Sequence, residues 1–249
     1  MNKEPIILAI ETSSRTGSVA IGFGQKIAAE KSFSGFMKHS SEILPTIQSL
    51  LNQFDLTPDK IEHLYISYGP GSFTGLRIAV SLAKIMYLTN SLKIVAVDSL
   101  DVVAYNAIQA IKEYDSGRGD DSAEKIVKIA SVIDAKRSRF FTALYNIGRN
   151  GHDICLEKAT DDLIITSDEL CQKASREKDK VWLLGDGLLY YRQSFEKENI
   201  NIFDEKYWGP RAACVYNLGW EMAQKNMFSD PLELKPNYLY HPEIRVKQR

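Results

Sequence analysis

Cysteine is nearly absent: Cys155, Cys171 and Cys214 lie far apart in the 249-residue chain, with no paired CxxC spacing. That excludes a zinc ribbon and a disulfide framework, and fits a reducing cytoplasm. Neither sign of charge is in excess, with 31 Lys and Arg against 32 Asp and Glu and a formal net charge of -1. A chain that held nucleic acid alone by electrostatics would need clustered cations. The local clusters, Lys136-Arg137-Ser138-Arg139 and the tail with Arg245, Lys247 and Arg249, read as solvated surface. Long hydrophobic runs are also lacking. Met1 to Pro5 leads into an apolar run too short for a signal-peptide core or a membrane span, so neither export nor membrane insertion is expected. What is present, 44% hydrophobic and 25% charged residues, suffices for a sizeable core in one large domain or two smaller ones.

Gly69-Pro70-Gly71-Ser72-Phe73-Thr74-Gly75-Leu76-Arg77 follows a strand-length run, Leu64 to Ser67, and precedes a helix-length run, Ile78 to Leu88. Its glycines permit unusual backbone angles and close approach. At the opening of a helix, free amides suit an anion. However, Gly75 is followed by Leu76 and Arg77 rather than Lys and Ser/Thr, so a self-sufficient P-loop is excluded. The plainer reading is a tight turn that packs backbone on backbone. The helix that follows is apolar nearly all round, with Leu76, Ile78, Val80, Leu82, Ile85, Met86 and Leu88. Such a helix is buried on both sides, or one face meets another chain.

Ile6 to Ile10, Ser18 to Gly22 and Lys26 to Phe33 read as three antiparallel strands. The turn Glu11-Thr12-Ser13-Ser14 between the first two resembles the phosphate hairpins of actin, hexokinase and Hsp70, with Thr12, Ser13 and Ser14 as candidate nucleotide contacts. Local stabilisation of the turn explains the same residues. A helical stripe runs Ile43, Ile47, Leu50, Leu51 and Phe54, with Ser40 or Ser41 as cap and His39 at its entrance. Lys93 to Val97 reads as a strand and residues 100–111 as a helix, followed by a polar loop over 112–125. A second lobe opens as the first did: Ile126 to Ile133 ends in Asp134, a polar turn follows, and Phe140 to Tyr145 runs back. Val181 to Leu184 is a strand into the turn Gly185-Asp186-Gly187, residues 212–227 a last helix, and Tyr238 and Tyr240 anchor an extended tail.

The nine residues Gly69 to Arg77, with Ile10 to Ser14, His39-Ser40, Leu44-Pro45, Ile133-Asp134-Ala135 and Pro236 to Leu239, make the chain similar from end to end to the bacterial TsaB (YeaZ) family. That resemblance implies an α/β, two-lobed actin-like (ASKHA, ribonuclease H-like) fold of mixed sheets flanked by helices. Residues 1–104 would form the first lobe and 105–249 the second, its last helix packing back on the first. Position 11 is usually Asp in that family and is Glu here.

The resemblance also implies a non-catalytic subunit that binds the related catalytic protein TsaD, with TsaE, for threonylcarbamoylation of the adenosine next to the anticodon in ANN-decoding tRNAs. It implies a homodimer when alone, tRNA met only through the complex, no cofactor of its own, and ATP or ADP only in the assembly. The catalytic relative carries a His-Met-Glu-Gly-His metal motif where this chain has Ser99-Leu100-Asp101-Val102-Val103. Ser99 and Val103, which stand at the two histidine positions, cannot replace imidazole ligands, so no metal site is expected. The expected partner contacts are Ile43, Ile47, Leu50, Leu76, Arg77, Val80, Ala83 and Lys84, on the two helices whose apolar surface exceeds one core's needs. The competing reading is an ATP-dependent small-molecule kinase of the same superfold, with Thr12 to Ser14 on phosphate and Glu11 or Asp134 around a metal ion.

Overall fold

In the computed structural model, which describes residues 4–34, 39–116, 125–151 and 153–239, the apolar runs pair into two sheets of one design. The first lobe has β1 (Ile6–Glu11), β2 (Thr16–Phe23), β3 (Lys26–Ser34), α1 (His39–Gln53), β4 (His63–Gly69), α2 (Phe73–Asn90), β5 (Lys93–Asp98) and α3 (Ser99–Ser116). The second has β6 (Lys128–Asp134), β7 (Phe140–Asn150), β8 (Asp153–Lys158), β9 (Leu163–Ile165), α4 (Ser167–Ala174), β10 (Val181–Leu184), β11 (Ile200–Ile202) and α5 (Ala212–Gln224). The first sheet is ordered β3-β2-β1-β4-β5 and the second β8-β7-β6-β10-β11, with β9 also on β7. In each, the opening strands are antiparallel and the later ones join in parallel. The echo between Glu11 and Asp134 is thus a repeat of topology, each acid ending the central strand of its sheet.

The two-residue period of a strand sorts the core. Leu8 and Ile10 of β1, with Leu64 and Ile66 of β4, face α1 and α2. Ile7 and Ala9, with Tyr65, face the opposite way onto Ala212, Val215 and Tyr216 of α5. The last helix therefore lies on the first sheet. Conversely, α3 sends Leu100, Val103, Ala104, Ala107 and Ile111 into the core of the second sheet. The expected boundary after residue 104 falls inside this continuous helix, because the two lobes exchange their final helices.

Pro45 stands inside α1, six residues past its start, so Ser40 and Ser41 lie within the helix rather than at its cap. The side chain of His39 lies outside the described residues. Ser72 caps α2, its hydroxyl accepting from the Gly75 amide. The helix over 100–111 continues to Ser116, residues 117–124 of the expected loop are outside the described residues, and so is Tyr240.

The glycine loop makes its close approach to the chain itself. Ser72 N donates to the Ser13 carbonyl at 2.7 Å, and the Thr12 hydroxyl donates to the Gly75 carbonyl at 2.8 Å. A Cβ on Gly75 would overlap the Thr12 carbonyl oxygen, and one on Gly71 the Ser13 carbonyl oxygen. A Gly75→Ala variant should lose about 3 kcal/mol, since backbone rather than a flexible side chain must give way. Gly209→Ala, where an added methyl meets open space, should change little. Urea midpoints of the two variants check this; equal midpoints would show that the loop yields.

Candidate functional site

The turn after β1 faces the second lobe, and its hydroxyls are already committed. Thr12, Ser13 and Ser14 are all buried. The Ser13 amide and hydroxyl both donate to the Glu11 carboxylate, and the Ser14 hydroxyl donates across the lobe junction to Asp186. With Thr12 bound to Gly75 and the loop backbone lying on Ser13, the three expected phosphate contacts, Thr12, Ser13 and Ser14, all make hydrogen bonds within the chain, and the Gly69–Gly75 loop packs against their turn. Burial raises the Glu11 carboxyl above its ordinary range, against the lowering effect of the Ser13 hydrogen bonds. Burial likewise raises Asp186, against the Ser14 hydrogen bond. In both, burial shifts the balance toward the neutral form.

At the rim of this junction, the Arg15 guanidinium lies 4.5 Å from the Tyr190 ring centroid and donates to its hydroxyl at 2.6 Å. It also stands 3.8 Å from Asp134. The turn Gly185-Asp186-Gly187 repeats the first lobe's loop, Gly185 and Gly69 sharing a φ of 130°.

A second polar knot, which sequence reasoning missed, lies where α3 begins. Asp98 caps the helix by accepting from the Leu100 amide at 2.8 Å. The Lys158 ammonium stands 3.6 Å from Asp98, 3.0 Å from Asp101 and 2.6 Å from Asp162, and the Tyr145 hydroxyl donates to Asp101 at 2.7 Å. Thus the positions that match the relative's metal motif, Ser99 to Val103, start a helix, and the one carboxylate among those five, Asp101, is spent on a lysine and a tyrosine. Among the described residues, no three His, Cys, Asp or Glu side chains are grouped to hold a metal ion. Burial, then the neighbouring Asp101, pushes the Asp98 carboxyl up to about 8. Burial works to lower the Lys158 ammonium, but the carboxylates together hold it above its ordinary value. Burial also pushes the Cys214 thiol up to about 12, which leaves it a poor nucleophile at neutral pH.

Six of the expected partner contacts are buried within the chain's own fold. Ile43, Ile47, Leu50, Leu76, Val80 and Ala83 are at most 7% exposed, and all of them but Leu76 belong to the core beneath the first sheet. Their spacing is what a core-facing stripe requires, and nothing in it says which side faces out. Arg77 and Lys84 hold the chain's own tail: Arg77 lies 3.7 Å over the Phe73 ring and donates to the Tyr238 hydroxyl at 3.0 Å, while Lys84 donates to the Leu232 carbonyl at 3.0 Å. Tyr238 stacks on Phe73 with centroids 5.2 Å apart. The outward face of α2 instead carries Phe73, Ile85 and Leu88, at 53%, 59% and 73% exposure, with Leu44 of α1 at 57%. So α2 is buried on one side only. Among the described residues, no helix is long and apolar enough to cross a membrane.

Two sheets of repeated topology, exchanged helices and acids at the junction define a two-lobed actin-like protein, here with its first hairpin turn filled. A sequence profile described as "TsaD: tRNA N6-adenosine threonylcarbamoyltransferase" matches residues 26–164, more than half of the chain. The tRNA threonylcarbamoyladenosine biosynthesis protein TsaB of Bacillus subtilis is 32% identical over 193 residues, 76% of this chain and 75% of that protein. The TsaB of Buchnera aphidicola from Acyrthosiphon pisum is 28% identical over 237 residues, 95% and 98% of the two chains. YeaZ from Pseudomonas aeruginosa shares the fold, with a TM-score of 0.74 at 19% identity, over 94% of this chain and 100% of that one. The chain belongs to the TsaB (YeaZ) family.

The pH dependence of Asp98 has a definite sign. Its folded pKa is raised, so the folded state holds the proton from the ordinary carboxylate range near 4 up to about 8. Stability from this group is full below pH 4 and is lost as pH rises through 8. Asp98→Asn keeps an acceptor for the Leu100 amide and should flatten the fall in melting temperature between pH 5 and 8. An unchanged slope would show that Asp98 ionises freely in the fold.

Proposed function

We propose that this protein is a non-catalytic subunit of the machinery that threonylcarbamoylates the adenosine next to the anticodon in ANN-decoding tRNAs. It binds the catalytic TsaD and positions it, with TsaE, and pairs with itself when alone. tRNA is met in the assembled complex, and any ATP or ADP belongs to that assembly rather than to this chain. Family membership supports the pathway. The observation that carries the partner reading is the outward face of α2, where Phe73, Ile85 and Leu88 stay exposed although the same helix buries a full apolar stripe on its other side. Ile85 and Leu88, the two of these that no aromatic ring or guanidinium covers among the described residues, would each gain up to about 1–2 kcal/mol on burial of what remains exposed. The filled hairpin turn supports a scaffold over a kinase, because phosphoryl transfer needs free donors on the phosphates and Thr12, Ser13 and Ser14 donate within the chain.

Size-exclusion chromatography with the TsaD of the same organism tests this reading. Wild type should co-elute; Ile85→Glu and Leu88→Glu should not, while keeping their own stability within about 0.5 kcal/mol, as exposed substitutions do. Val80→Glu, which sinks a charge into the core, should unfold the protein and therefore reports nothing about docking. Co-elution of both exposed-face variants with TsaD would overturn the assignment of this face.

A further inference from the structure

The turn between β6 and β7 is built at a disadvantage. Lys136, Arg137 and Ser138 follow one another with φ values of 68°, 56° and 57°, a left-handed conformation that side chains disfavour and that glycine adopts freely. The turn is pinned nonetheless. Asp134 accepts from the Lys136 amide at 2.8 Å, the Arg139 amide donates to the Lys136 carbonyl at 3.1 Å, and the Ala135 amide to the Arg139 carbonyl at 2.9 Å. Residues 136–139 are all exposed. A turn needing only its shape would be served by glycine or asparagine; this one holds two cationic side chains, Lys136 and Arg137, at left-handed positions and a third, Arg139, next to them.

The cations continue across the lobe junction. One oxygen of Asp134 faces both Lys136, at 2.7 Å, and Arg15, at 3.8 Å. Beyond Arg15 stands Tyr190, 69% exposed, its ring covered on one side by the guanidinium. No hydrogen bond or ion pair occupies the Arg137 or Arg139 guanidinium among the described residues, and the acid that shares a field with Arg139, Glu169, is tied into the cap of α4. In a chain whose charges balance, this is a strip of four cations ending in an aromatic ring. Guanidinium groups match phosphate oxygens in a two-pronged geometry, and a ring backed by arginine is a surface on which an unpaired base stacks.

We propose that the β6–β7 turn, with Arg15 and Tyr190, contacts the phosphodiester backbone of RNA. The proposal rests on the reading above, in which tRNA is the substrate of the assembly, and goes beyond it by giving this chain its own RNA contact.

The test uses the full chain, alone and mixed with TsaD, and a transcript of an ANN-decoding tRNA, with binding read by fluorescence anisotropy between 50 and 200 mM salt. Arg137→Gln with Arg139→Gln should weaken binding by roughly fivefold per cation near 0.1 M salt and lower the log–log salt slope by about two. Arg137→Gly should weaken binding in the same direction while melting no lower than wild type, because glycine takes the left-handed angle freely. Tyr190→Ala should reduce affinity with the slope unchanged. Unaltered affinity and slope in the double variant overturn the proposal, as does binding of wild type to anionic vesicles or polyglutamate competitors but not to tRNA. If wild type co-elutes with TsaD while the double variant binds tRNA like wild type, this contact falls and the scaffold reading stands; failure to co-elute strikes the scaffold reading itself.

Discussion

Backbone packed on backbone, the Gly69–Gly75 loop against the Glu11–Ser14 turn, is the contact on which the rest of this structure depends. It joins the crossing between β4 and α2 to the hairpin between β1 and β2, and no side chain could be inserted without parting them. Because the loop is held there, α2 starts at Phe73 with its Ala79, Val80 and Ala83 side turned onto the sheet. The same contact fills the turn with protein, so that Thr12, Ser13 and Ser14 serve as internal donors.

Two consequences run in opposite directions from that contact. Inward, the lobe junction is closed by Ser14 on Asp186, with Arg15 on Tyr190 at its rim, and burial raises the Glu11 and Asp186 carboxyls. Outward, α2 presents apolar residues beside a tail that Arg77, Lys84 and Tyr238 hold in place. The exposed chemistry of this chain lies on its surface, in an apolar helix face and a cationic strip.

The repeated topology explains which parts of the chain were legible. β1, β4, β6 and β10 are interior strands of their sheets, largely buried on both faces, so they read as nearly unbroken apolar runs. β8, by contrast, alternates half-buried and exposed positions over Asp153–Lys158 and carries too little apolar signal to stand out. The eight-residue α4 was also overlooked, although Thr166 and Glu169 form a capping box that marks its start. Lys158 gave no warning of its role, because its three carboxylate partners come from β5, α3 and a loop of the second lobe.

The sequence by itself determined the strand–loop–helix units, the family and the echo between Glu11 and Asp134, because those depend on local spacing, on glycine at particular steps and on residues in an unbroken motif. Only the tertiary structure decided which side of α2 is core and which is surface. Val80 and Ile85 are equally apolar in the chain, yet one lies under the sheet at 6% exposure and the other stands at 59%. Periodicity marks a stripe, but the sheet that covers it is assembled from strands far apart in the chain, and that assembly alone settles what remains for a partner to meet.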